Sequence, residues 1–149
     1  LWAGGGVAFD RRFMFPDKVL QAIGDSRCTT FAGVPSAYSL LLNHSSLGTT
    51  EMPGLRRFIQ AGGAMPKKNI ERLRKLMPSV DLYVMYGQTE ATARITCLPP
   101  TMLDSKCGSV GLPLDNLRVE ILDENDQVLI SSINKCSRCK KYRKKTRNS

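Results

Sequence analysis

No apolar run in the sequence approaches the roughly 20 residues needed to cross a bilayer, which excludes a membrane-spanning helix. No cationic stretch precedes an apolar one in the opening Leu1-Trp2-Ala3-Gly4-Gly5-Gly6, so no secretory signal is visible. With Leu rather than Met at position 1, the sequence reads as one that begins inside a longer gene. Histidine is almost missing: His44 is the only one, and in a polar connection it reads as a surface residue rather than a base. The five cysteines form no even framework, and Cys28, Cys97 and Cys107 are widely scattered. That usage fits reduced thiols and a cytoplasmic location rather than disulfides. Cys136-Ser137-Arg138-Cys139 has the spacing of half a zinc site but lacks a second pair nearby, so solvated thiols are the better reading.

Acid is missing from one region alone. All 13 Asp and Glu lie within 1–130, beside 14 of the 22 Lys and Arg, so the body is close to neutral. Residues 131–149 hold Lys135, Arg138, Lys140, Lys141, Arg143, Lys144, Lys145 and Arg147 and no acid. The net charge of +9 therefore belongs to a tail, where like charges repel and no apolar periodicity survives. We read 1–130 as the folded part and 131–149 as a basic tail, disordered or non-native.

What is present is a globular composition, 42% hydrophobic and 23% charged, in 149 residues that fit one domain with a real core. The body alternates β-rich and helical runs, the pattern of an α/β protein. Pro16-Asp17 opens a helix with Val19, Leu20 and Ile23 on one face and Gly24 at its stop. Cys28–Val34 reads as a strand ended by Pro35, and Ser36 as the cap of a helix carrying Tyr38, Leu40, Leu41 and Leu42. After a polar connection from Asn43 to Gly54, Leu55–Ala61 reads as a strand running into Gly62-Gly63. Pro66 suits the first turn of a helix with Ile70, Leu73 and Met77 at helical spacing, which turns Lys67, Lys68, Arg72 and Lys75 to water. Val80–Tyr86 reads as a strand broken by Gly87, and Arg94–Leu98 and Leu117–Leu122 as two more. Such strand–helix–strand units favour a mainly parallel sheet covered by helices.

Two segments carry candidate chemistry. Tyr86-Gly87-Gln88-Thr89-Glu90 stands where a strand runs out, and ligands of open α/β sheets bind beyond the carboxyl ends of strands. Tyr86 offers a flat face for a base, Gly87 a close backbone approach, Thr89 a hydroxyl for phosphate oxygen, and Glu90 a hard oxygen ligand of the kind Mg²⁺ takes. In Gln60-Ala61-Gly62-Gly63-Ala64-Met65-Pro66, two glycines permit unusual φ and expose amides near a helix N-terminus. Taken alone, each segment fits equally simple readings: a strand–turn with surface Thr and Glu, and a tight turn whose glycines serve geometry.

Together, in order and spacing, they are more specific. With Thr30-Phe31-Ala32-Gly33-Val34-Pro35-Ser36 before them and Cys107-Gly108-Ser109-Val110-Gly111-Leu112-Pro113 after, residues 1–130 resemble the adenylate-forming superfamily, most closely acyl-CoA synthetases. The resemblance implies part of the large N-terminal domain of such an enzyme. It implies a ligase that joins a carboxylate to the α-phosphate of ATP with release of pyrophosphate, then passes the acyl group to a thiol, coenzyme A or a carrier protein. Carried over by motif, Tyr86 would stack on adenine, and Gly62, Gly63 and Ala64 would line the adenine and acyl side. Gly87 and Gln88 belong to the same nucleotide motif, Thr89 would contact the α-phosphate, and Glu90 would hold Mg²⁺. Val34, Pro35 and Ser36 would lie near the acyl pocket.

The resemblance also marks what these residues do not contain. The phosphate-gripping loop ending in Lys would lie upstream, and Gly4-Gly5-Gly6 has no following Lys-Ser or Lys-Thr to replace it. The ribose-binding Asp and the small C-terminal domain with its catalytic Lys would follow residue 130. The expectation is a fragment of an acid–thiol ligase, inactive alone. Against it stand a small nucleic-acid-binding protein acting through its basic tail, and a non-catalytic remnant.

Overall fold

The computed structural model describes residues 4–115 and 117–130. The basic tail and its cysteine pair lie outside the described residues. Among the described residues four helices and seven strands follow in chain order: α1 (Pro16–Asp25), β1 (Thr30–Gly33), α2 (Pro35–His44), β2 (Arg57–Gln60), α3 (Lys67–Leu76), β3 (Asp81–Gln88), β4 (Thr92–Leu98), α4 (Leu103–Lys106), β5 (Leu112–Pro113), β6 (Ile121–Leu122) and β7 (Val128–Ile130). A 3-10 turn, Pro100–Met102, leads into α4.

Five strands form one sheet in the order β1-β2-β3-β4-β5. β1, β2 and β3 are parallel, joined by α2 and α3 as crossovers, and β4 and β5 extend the sheet antiparallel. β6 and β7 form a separate antiparallel ribbon. The α/β architecture with a parallel centre is the one the alternating pattern implies.

Strand alternation sorts the sheet into two faces. Phe58, Gln60, Leu82, Val84, Thr96 and Leu98 lie on one face and are all buried. The three long helices cover it with Val19, Leu20 and Ile23 from α1, Tyr38, Leu41 and Leu42 from α2, and Ile70 and Leu73 from α3. Tyr38 is the hub. Its ring stands edge-on to Phe31 (5.7 Å between centroids) and Phe58 (5.8 Å), and its hydroxyl donates to the Ile59 carbonyl at 2.9 Å. Burial pushes that phenol well above its ordinary pKa.

Several local expectations are corrected. α1 runs past Gly24 to Asp25, and the chain turns at Arg27, which takes a left-handed φ of +48°. Ser36 is not a cap: Pro35 occupies the first helical turn of α2, and the flanking Val34 supplies no side-chain bond. His44 is the last residue of α2 rather than part of a loop, and it is exposed. Gly87 does not break its strand, because β3 continues through it to Gln88, which pairs with Thr92. Of Leu117–Leu122 only Ile121–Leu122 is strand.

Candidate active site at the carboxyl edge of the parallel strands

Because β1, β2 and β3 are parallel, their carboxyl ends share one edge of the sheet. Gly33 pairs with Gln60 and Gln60 with Val84, so Gly62 and Gly63 emerge on the strand beside the one that carries Tyr86 two residues later. The Ala61 N–H donates to the Gly33 carbonyl at 3.2 Å, extending the ladder one step past β2. The chain then turns through Gly62, whose φ of +82° strains any residue with a Cβ. A Cβ there would stand 3.1 Å from Val34 Cγ1, so the glycine turn lies against the start of α2. Gly62, Gly63 and Ala64 are exposed, while Met65 is buried and anchors the segment ahead of α3.

On β3, Tyr86 is half-buried on the helix-covered face of the sheet and stands opposite Thr96 of β4. The Gln88 side-chain amide donates to the Tyr86 hydroxyl. Gly87 sits at a register shift between these two, and a Cβ on it would lie 2.2 Å from the Ala93 carbonyl oxygen. Its role is close passage of two strands, and that approach sharpens the β3–β4 hairpin. The turn that follows carries Thr89 and Glu90, both exposed, and closes with the Ala91 N–H donating to the Gln88 carbonyl at 3.2 Å. The two motifs thus share one edge, with the glycine turn beside the tyrosine and the Thr–Glu pair at the adjoining hairpin tip. His44 stands apart: α2 starts at this edge and runs ten residues away from it, about 15 Å of helix.

An apolar cleft of about 560 Å³ adjoins the Val34 end of the edge, lined by Phe13, Ala32, Gly33, Val34, Ser36, Ala37 and Leu40. Val34 thus touches both the glycine turn and the cleft.

Among the described residues no three His, Cys, Asp or Glu side chains cluster as a metal cage. A single exposed carboxylate at Glu90 suits Mg²⁺, which keeps several waters and binds through one or two carboxylates plus substrate phosphates. The thiol of Cys97 on β4 has its pKa pushed up by burial, partly offset by Arg94.

Three residues of the edge have no role in the motif reading, although Gln60 heads the glycine segment. Gln60 is fully buried, and its side-chain Nε2 donates to the Gly63 carbonyl at 2.8 Å. Thr96 is also buried, and its Oγ1 donates to the Val110 carbonyl at 2.6 Å. Phe13 walls the cleft. The available sequence signal for Gln60 is alternation: it shares the inward face with Phe58, where an apolar residue is expected.

These features share the carboxyl edge of a parallel sheet, and the chain belongs to the family of AMP-binding enzymes, whose model matches residues 1–132. Among its relatives, the human acyl-coenzyme A synthetase ACSM6, mitochondrial, is 31% identical over 76% of this chain and 23% of its own length. The D-alanine–D-alanyl carrier protein ligase of Lactococcus lactis is 30% identical over 75% of this chain and 19% of its own. The crystal structure of VinN superposes with a TM-score of 0.66 at 35% identity, covering 75% of this chain and 28% of that one. The chain thus spans less than a third of the length of each of these relatives. Among the described residues no helix is long and apolar enough to cross a membrane.

Proposed function

We propose that this chain carries the adenine- and metal-facing part of an ATP-dependent acid–thiol ligase, which activates a carboxylate as acyl-AMP and transfers it to coenzyme A. The observation that carries the reading is the shared sheet edge, with the exposed Gly62–Ala64 turn beside Tyr86 and Glu90 on the adjoining hairpin. In this reading the Tyr86 ring lies along the face of the adenine, while the Gly62–Ala64 backbone borders its other side. Thr89 donates its hydroxyl to an α-phosphate oxygen, and Glu90 holds Mg²⁺. Mg²⁺ held by Glu90 would supply neutralisation of phosphate charge when a carboxylate oxygen bonds to the α-phosphorus and the bond to pyrophosphate breaks. Val34 and Ser36 border the acyl side with Pro35, and the apolar cleft beside them suits the hydrocarbon part of the acid. The acceptor is the thiol of coenzyme A, the molecule named for the human relative; the Lactococcus relative is named for a carrier protein. The cytoplasm goes with this reading, since Cys28, Cys97 and Cys107 are all unpaired thiols.

The test is a titration of the 149-residue chain with AMP and with ATP, each with Mg²⁺ and with a chelator. We expect AMP to bind and Tyr86→Ala to weaken it roughly tenfold, the scale of one base stacked on an aromatic ring. Glu90→Ala should remove the gain Mg²⁺ gives to ATP while leaving AMP affinity unchanged. The chain alone should show no ATP–pyrophosphate exchange, because the phosphate loop and the catalytic lysine are not among these residues. Equal AMP binding by wild type and Tyr86→Ala would overturn the assignment.

A further inference from the structure

Among the described residues, Gln60 and Thr96 are the two buried polar residues of the helix-covered face, and they do the same thing. Each donates a side-chain hydrogen bond to a backbone carbonyl in a glycine-containing loop at the strand edge, Gln60 to Gly63 and Thr96 to Val110. Their neighbours on that face are Phe58, Leu82, Val84 and Leu98, so packing alone favours an apolar side chain at both positions. Gln60 is held at a loss besides: its buried Oε1 has no hydrogen-bond partner among the described residues. Burying an unmade acceptor is unfavourable, so the Nε2 bond to Gly63 is what the residue contributes.

That bond has a directional consequence. A trans peptide is planar, with its C=O and N–H pointing opposite ways, and no cis peptide bond occurs among the described residues. With the Gly63 carbonyl turned inward to Gln60, the Ala64 N–H is turned outward, on the exposed turn beside Tyr86. Thr96 stands directly opposite Tyr86 on β4, and its bond to Val110 fixes the loop that ends at Gly111, where φ is +86°. One polar side chain on either side of Tyr86 therefore fixes the loop nearest it.

We infer that Gln60 and Thr96 are positioning residues that hold the Gly62–Ala64 and Val110–Gly111 loops in the geometry that receives the nucleotide. Gln60 aims the Ala64 amide at it. The inference rests on the nucleotide reading above for its ligand, but the loop-holding itself is measured separately.

The experiment compares the wild-type chain with Gln60→Met, which keeps length and apolar fill, and with Thr96→Val and Thr96→Ser. Backbone ¹⁵N relaxation and AMP titration are run on each. In Gln60→Met the order parameters of the Gly63 and Ala64 amides should fall from roughly 0.85 to below about 0.6, while those of Phe58 and Leu82 hold. The AMP dissociation constant should rise about fivefold, the equivalent of one net hydrogen bond. Thr96→Val should loosen Val110 and Gly111 in the same way, and Thr96→Ser, which retains the hydroxyl, should restore them. A uniform loss of order across strands and loops would mark a merely structural role and overturn the inference. Unchanged loop order in both apolar variants, or loosened loops with AMP bound equally well, would also overturn it. If wild type fails to bind AMP, the nucleotide reading falls, and the relaxation data still decide whether the two side chains hold the loops.

Discussion

At the scale of single residues, the edge is shaped by glycines that allow two backbones to meet. Gly87 and Gly111 both face β4: a Cβ on Gly87 would lie 2.2 Å from the Ala93 carbonyl oxygen, and one on Gly111 would lie 2.1 Å from Cys97 backbone atoms. The atoms met are backbone, so the strands themselves must shift. Gly87→Ala should destabilise the chain by about 1–3 kcal/mol, the range for forcing atoms into a packed site. Gly111→Ala should be worse, because its φ of +86° adds strain. Urea unfolding midpoints measure both; an unchanged midpoint for Gly87→Ala would mean that the strands pass less closely than described. Gly62 was legible as a turn glycine, since a Gly pair between a strand and a helix signals unusual φ. Gly87 is legible as a site of close backbone approach, whereas the strand break it also suggests does not occur. A glycine that ends a strand and one that lets two strands pass look alike until the partner strand is known. The inward position of Gln60 is legible from alternation, but the bonds of Gln60 and Thr96 are not, because their partners, the Gly63 and Val110 carbonyls, are backbone groups that no sequence displays.

At the scale of elements, the three long helices are legible and their ends less so, while the four-residue α4 carries no periodicity to show it. The spacing of Ile70 and Leu73 placed α3 correctly with its cations outward, because one buried stripe in ten residues leaves little choice of face. Ends depend on single bonds that compete. Pro35 outcompeted Ser36 at the start of α2, and α1 is tied by a bond from afar. Asp17, in the first turn of α1, accepts the Ser46 backbone N–H at 2.8 Å and its hydroxyl at 2.7 Å, joining α1 to the chain beyond α2. These bonds from Ser46 hold the Asp17 carboxyl below its ordinary value of 3.8. A carboxyl whose pKa is lowered on folding stabilises the protein above its unfolded value, and that contribution is lost as pH falls through the folded one. Asp17→Asn should therefore melt at a lower temperature than wild type at pH 7, and the gap should narrow as pH is taken below 3.8. A constant gap across that range would show that the tie does not depend on the charge.

At the scale of the whole molecule, the two faces of the sheet are unequal. Parallel strands are ordinarily covered on both faces. Here α1, α2 and α3 bury one face, while the other presents Ala32, Ile59, Tyr83, Met85, Cys97 and Leu112, none of them buried among the described residues. A half-exposed apolar face of this kind promotes association. β1 adds an edge strand with unpaired backbone groups. The isolated chain should therefore self-associate as its concentration is raised in sedimentation velocity. Met85→Lys, central on this half-exposed face and outside the core cluster, should shift it toward monomer with its circular dichroism unchanged. Tyr86 follows Met85 directly but points to the opposite face, so the same variant should still bind AMP. Retained association in Met85→Lys would move the sticky surface elsewhere, to the β1 edge or to exposed Phe9, Met14 and Phe15. A loss of AMP binding without a loss of fold would mean that the nucleotide reaches the sheet from its uncovered side.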